Sequence, residues 1–80
     1  MLKIQTDNNK ITHITVKGVE LGVGIVGYEL RQKATEELIL ELYVNKSRVD
    51  LVVKELIKTK CEYIVENWII EENARITVNF

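Results

Sequence analysis

The segment Gly22-Val23-Gly24-Ile25-Val26-Gly27 has the spacing of a G-x-G-x-x-G phosphate-binding turn. In that chemistry the glycines permit a tight turn and a close backbone approach, and the helix that follows offers its N-terminal amides to a pyrophosphate. Leu30, Ala34, Leu38 and Leu42 recur at four-residue intervals, as such a helix requires, and Asp50 lies 23 residues beyond Gly27, near the distance of a ribose-binding acid. Against this, 80 residues hold at most one strand–helix–strand unit, whereas a dinucleotide site needs two halves. Strict alternation from Leu38 to Val44 also favours a strand there. The glycines are therefore read as strand-entry turns and bulges, with nucleotide binding at Gly22–Gly27 as a remote alternative.

The other reactive side chains are few. His13, Ser47 and Cys61 are each the only residue of their type. A cysteine–histidine pair can generate a nucleophilic thiolate, but Cys61 falls on an apolar stripe, where a buried inert thiol is the default. His13 falls on the polar side of a strand, exposed or hydrogen-bonded, and Ser47 suits a helix cap. Two aspartates and scattered glutamates supply no carboxylate pair for acid–base work. One cysteine allows neither an internal disulfide nor a cysteine-cluster metal site. The expectation is a chain with no catalytic residue, no metal site and no cofactor, hence not an enzyme.

The one concentration of basic residues is Lys46, Arg48, Lys54, Lys58 and Lys60, set against Asp50 and Glu55. Such a segment can follow phosphates along a nucleic acid; the plainer reading is a solvated helix face. The chain as a whole carries 11 basic and 12 acidic residues, so no global field draws it to nucleic acid or to anionic lipid.

The elements that must position these residues follow from periodicity. Period two marks half-buried strands in the first 45 residues. Leu2 and Ile4 alternate with Lys3 and Gln5, and Ile14 and Val16 with His13, Thr15 and Lys17. Val26, Tyr28 and Leu30 alternate with Gly27, Glu29 and Arg31, and Leu38, Leu40, Leu42 and Val44 with Ile39, Glu41 and Tyr43. Asp7-Asn8-Asn9-Lys10 is turn chemistry, and Lys33-Ala34-Thr35 a tight connection. From Ser47 the period changes to three and four: Val49, Val52, Val53, Leu56, Ile57, Cys61, Ile64, Val65, Trp68 and Ile69 make an amphipathic helix stripe, interrupted at Lys60. Ser47 with Asp50 resembles a capping box, Asp50–Lys54 and Lys58–Glu62 are helix-spaced ion pairs, and Asn73 suits a helix stop. Ile76, Val78 and Phe80 alternate as a last strand.

The predicted fold is a single α+β domain over residues 1–80: an antiparallel sheet of four to five strands (1–45 and a final strand at 75–80) with one amphipathic helix, about 48–72, packed on its aliphatic face. Tyr28, Trp68 and Phe80 are expected in the core. Ile39 and Tyr43 fall on the outer sheet face as a modest apolar spot, the mark of an association contact rather than of a base platform. The regular strand at 36–45 is a candidate pairing edge. Apolar residues make up 46% and charged residues 29%, ordinary globular usage. With neither a signal-peptide core nor an apolar run of membrane length, a cytoplasmic location is expected and no membrane partner.

Gly18-Val19-Glu20-Leu21, Gly27-Tyr28-Glu29-Leu30, Leu38 to Val44, and Val49-Asp50-Leu51 together resemble a run found in small uncharacterised proteins of phages and prophages of Gram-positive bacteria. The resemblance covers roughly residues 11–53, and departs from the pattern at Thr35-Glu36-Glu37, where a glycine-containing turn is expected. It implies a phage origin and expression in the host cytoplasm, and it assigns no residue a role. The leading expectation is a non-enzymatic phage or prophage accessory protein acting through protein contacts, with itself as a homo-oligomer or with a phage or host protein. The alternative is a nucleic-acid-associated protein using the basic segment 46–60.

Overall fold

A computed structural model of the chain describes residues 2–22, 25–32, 38–66 and 72–80. In order they form β1 (Leu2–Thr6), β2 (Thr12–Val16), β3 (Val19–Glu20), β4 (Ile25–Arg31), β5 (Ile39–Asn45), a 3-10 turn (Lys46–Arg48), α1 (Val49–Thr59), β6 (Glu62–Glu66) and β7 (Asn73–Asn79). The α+β class stands, but the strands divide into two antiparallel sheets, β1-β2-β3 and β4-β5-β7-β6, in place of the single sheet expected.

The division follows from the turns. Asp7 closes the first one: its carboxylate accepts from the Asn9 and Ile11 amides at 2.8 and 3.0 Å, an Asx turn in which Lys10 takes positive φ. Val16 pairs with Val19, so Lys17-Gly18 is a two-residue hairpin loop with both φ angles positive, at 51° and 83°. That conformation matches the right-handed twist of the flanking strands. Gly22, again at positive φ, ends the first sheet and releases the chain toward β4.

In the second sheet β5 pairs with β4 on one side and β7 on the other. The connection through α1 places β6 beyond β7, so β5 and β6 run parallel with β7 between them. β5 is therefore an interior strand, which overturns its reading as a pairing edge. Its composition explains the position: Leu40, Leu42 and Val44 are fully buried on one face and Glu41 is buried on the other. A strand buried on both faces belongs inside a sheet.

The inner face of the four-stranded sheet carries Leu40, Leu42, Val44, Ala74, Ile76 and Val78. Ile14 and Val16 of β2 and Val49, Val52 and Leu56 of α1 complete the same core. The helix stripe and the sheet's aliphatic face thus shield each other as expected, with the small sheet contributing to the shared core.

The helix is shorter than the predicted 48–72. It ends at Thr59, with Lys60 left-handed (φ 61°) and the Lys60 amide donating to the Ile57 carbonyl. Thr59 closes the end: its hydroxyl donates to the Leu56 carbonyl at 2.6 Å and accepts from the Cys61 amide at 3.2 Å. Beyond it, Glu62–Glu66 pairs with β7. Tyr63, Ile64 and Val65 are β-branched or aromatic, and strand pairing suits them better than a helix does. The Lys58–Glu62 helical pair is accordingly replaced by Lys58–Glu55 at 3.0 Å. Asn73 opens β7 and stops no helix, and the last strand is Asn73–Asn79 rather than 75–80. The 3-10 turn before the helix is capped by Asn45, whose side chain accepts from the Ser47 amide and hydroxyl at 2.9 and 2.8 Å; Ser47 is capped there, and the helix itself, entered through Arg48, has no side-chain cap. The expectations for Gly24, Lys33-Ala34-Thr35, the departure at 35–37, and Trp68 and Ile69 lie wholly or partly outside the described residues.

Candidate interaction surface

Register fixes what each face of the four-stranded sheet presents. On the outer face Gly27, Glu29 and Arg31 of β4 stand opposite Tyr43, Glu41 and Ile39 of β5, and these opposite Arg75, Thr77 and Asn79 of β7. Glu66 and Ile64 of β6 complete the rows. Polar side chains tie the rows together. Arg31 is ion-paired with Glu41. The Tyr43 hydroxyl donates to the same carboxylate at 3.2 Å, and Arg75 holds Glu66 through Nε and a terminal nitrogen at 3.0–3.1 Å. Burial, then the hydrogen bond to Glu41, raises the Tyr43 hydroxyl above its ordinary 10.0, so it stays a donor throughout the neutral range.

This network occupies the spot that the sequence assigned to association. Ile39 and Tyr43 are half-buried. The ring of Tyr43 covers Gly27, where an added Cβ would meet its Cδ2 at 3.6 Å. Tyr43 is thus tied to Glu41 by a hydrogen bond, while the Ile39 side chain makes no polar contact of its own.

The open apolar surface lies at the edge of the same sheet. β4 pairs only with β5 among the described strands. Tyr28 and Leu30 stand opposite Leu42 and Leu40, on the core side of the sheet. Their neighbours are fully covered, yet Tyr28 and Leu30 remain 44% and 42% exposed, and Val26, at a bulge between Ile25 and Gly27, 61% exposed. The expectation that Tyr28 lies in the core is thus corrected: it points to the core side but at the rim, where no described element covers it. Phe80 is half-buried against the core as expected. An open cleft lined by Thr12, Ile25, Val26, Gly27 and Tyr28 lies at the start of this edge.

Of the glycine motif, Gly22 and Gly27 lie among the described residues. Gly22 is a turn glycine at φ +89° and Gly27 lies within β4. The residues after Gly27 form a strand, so no helix N-terminus stands behind the motif.

His13 is hydrogen-bonded on the outer face of the small sheet, as its alternation indicates. Its Nε2 meets Asp7 at 3.0 Å and its Nδ1 meets Glu20 at 2.7 Å. These bonds, Asp7 first, hold the imidazole protonated above its ordinary 6.5, and His13 in turn lowers the Asp7 carboxyl below 3.8. The two carboxylates take opposite edges of the ring, an arrangement that fastens the first turn and β3 to β2. Among the described residues no His, Cys, Asp and Glu group could hold a metal ion. Cys61 is buried in the core, on the other side of the small sheet from His13's outer face, so the two do not form a dyad.

Lys46, Arg48, Lys54, Lys58 and Lys60 are all exposed, spread from the 3-10 turn to the helix end. Leu51 and Ile57 are exposed on the same helix. No helix among the described residues is long and apolar enough to cross a membrane.

Sequence reasoning missed the open edge at β4, since which strand is terminal depends on pairing across the whole chain. It also missed Glu41 and Arg31. A single acid within Leu38-Ile39-Leu40-Glu41-Leu42-Tyr43-Val44 was the available signal, because a carboxylate in an interior strand must find a cation. No protein family, curated protein or solved structure matches the chain.

Proposed function

We propose that this chain is a non-enzymatic interaction protein that accepts a partner by strand addition at β4, an accessory protein of the phage or prophage kind it resembles. The observation that carries this reading is the seven-residue edge strand with Val26, Tyr28 and Leu30 exposed beside fully buried neighbours. Edge strands offer unpaired backbone groups and are ordinarily blunted by charge, proline or cover. This one has its apolar side chains uncovered by any described element. An added strand would satisfy the backbone and continue the core face over Tyr28 and Leu30.

The test is affinity capture from host cytosol with the wild-type chain beside Leu30→Lys and Ile64→Lys. Ile64 is 60% exposed on the opposite edge and serves as the control. A protein retained by wild type and Ile64→Lys but lost with Leu30→Lys supports β4 as the contact. Identical capture by all three overturns it.

A second reading, nucleic-acid contact, is favoured by the exposure of all five cations of the 46–60 segment. It expects salt-dependent retardation of DNA or RNA, lost in Lys54→Glu/Lys58→Glu. Unchanged mobility at low salt removes it.

A further inference from the structure

We infer that the partner at β4 is a second copy of this chain, paired antiparallel about a two-fold axis at Leu30; this rests on the reading of β4 as the contact edge. A two-fold axis perpendicular to the sheet keeps each face continuous across both copies, so a residue must stand opposite one of its own face. That leaves few registers. Centring on Tyr28 draws Ile25 and Val26 into the ladder, where the bulge interrupts regular pairing. Centring on Glu29 sets Glu29 against itself, and centring on Arg31 sets Arg31 against itself; like charges directly opposite are destabilising.

Centring on Leu30 uses only residues beyond the bulge. It places Glu29 opposite the second copy's Arg31 and Arg31 opposite the second copy's Glu29. On the core side Leu30 meets its own counterpart, and Tyr28 meets Gln32 of the second copy. The strand is self-complementary in this register alone among those considered. Arg31 remains available for the contact: it is held by Glu41 on its own sheet, yet its side chain is 58% exposed and a guanidinium can serve two carboxylates.

The experiment is a cysteine scan of the exposed strand, Tyr28→Cys, Glu29→Cys and Leu30→Cys, under mild oxidation, with sedimentation velocity on the wild type and Glu29→Arg. The native Cys61 is buried, and the wild type run in parallel controls for it. Residues directly opposite in an antiparallel pair have Cα atoms about 4.5–5.5 Å apart, within disulfide reach. The expected result is a covalent dimer with Leu30→Cys and little with the other two. Glu29→Arg, folded by circular dichroism, should raise the dimer dissociation constant roughly tenfold, less at high salt. A dimer that cross-links best at Tyr28 or Glu29 overturns the register. A chain monomeric at all concentrations, whose captured partner is still lost with Leu30→Lys, overturns the second copy while the β4 contact stands.

Discussion

Strands β4 and β6 are the two edges of one sheet, and each sets an apolar residue between two charges. In β6 the exposed Ile64 is flanked at two residues' distance by Glu62 and Glu66; in β4 Leu30 is flanked by Glu29 and Arg31. Paired with a copy of itself about Ile64, β6 would set Glu62 against Glu66 on both sides of the axis, a like-charge contact. Paired about Leu30, β4 sets acid against base. Exposed apolar area does not select β4, since Ile64 is 60% exposed and Leu30 42%. The sign of the flanking charges does, and it makes one edge self-repelling and the other self-complementary.

The edges also differ in how they are fastened to the molecule, and burial of the carboxylate orders the fastenings. Glu41, which holds β4 through Arg31, has a side chain 8% exposed; Glu66, which holds β6 to β7 through Arg75, is 27% exposed. Glu20, joining the edge strand β3 to β2 through His13, is the most exposed of the three. Removing a cation from a buried carboxylate leaves an uncompensated charge, whereas an exposed carboxylate is resolvated.

The largest expected effect is therefore at β4. Arg31→Met should lower unfolding free energy by about 2 kcal/mol in urea titration at concentrations that keep the chain monomeric. Adding Glu41→Leu should recover most of that loss, since the stranded charge is then gone. A single variant as stable as wild type would erase the difference between the edges. At β6, Glu66→Gln should cost less, roughly 0.5–1 kcal/mol by the same titration. An equal or larger cost than at Arg31 would mean that burial does not set the order.

At β3 the effect is smallest and is read through pH. His13 has a folded value raised above 6.5, so its contribution is complete below 6.5 and is lost as pH rises through the raised value. Asp7 has a folded value lowered below 3.8, so its contribution is present above 3.8 and is lost as pH falls through the lowered value. The thermal midpoint of His13→Gln should therefore fall furthest below wild type between about 4 and 6.5 and converge with it in alkali. A gap of the same size at pH 5 and pH 9 would show that the histidine acts by packing alone.

Much of this architecture is legible in the residues. Alternation places Leu40, Leu42 and Val44 on a buried face, the three-and-four spacing of Val49, Val52 and Leu56 places them on a helix stripe, and Asp7 announces its turn. The interruption of the stripe at Lys60 was legible and marks where the helix ends; that a strand follows it was not. Cys61, Ile64 and Val65 continue a helical spacing by coincidence, and only the partner strand β7 resolves it, by offering Ile64 and Val65 backbone pairing. Lys60 in the left-handed conformation is a weak local signal, because lysine lacks the glycine or asparagine side-chain logic that marks a helix stop.

By itself the sequence determined the apolar faces, the turns and the order of charges along each strand, because these depend on neighbours within a few residues. Only the tertiary structure decided which strands are interior and which are edges. It sent β5 inside, with Ile39 and Tyr43 half-buried on its outer face, and left β4 open with Tyr28 and Leu30 at the rim. The physical reason is that strand order is set by backbone hydrogen bonds between segments far apart in the chain, and the alternation of side chains within one strand carries no record of its neighbours.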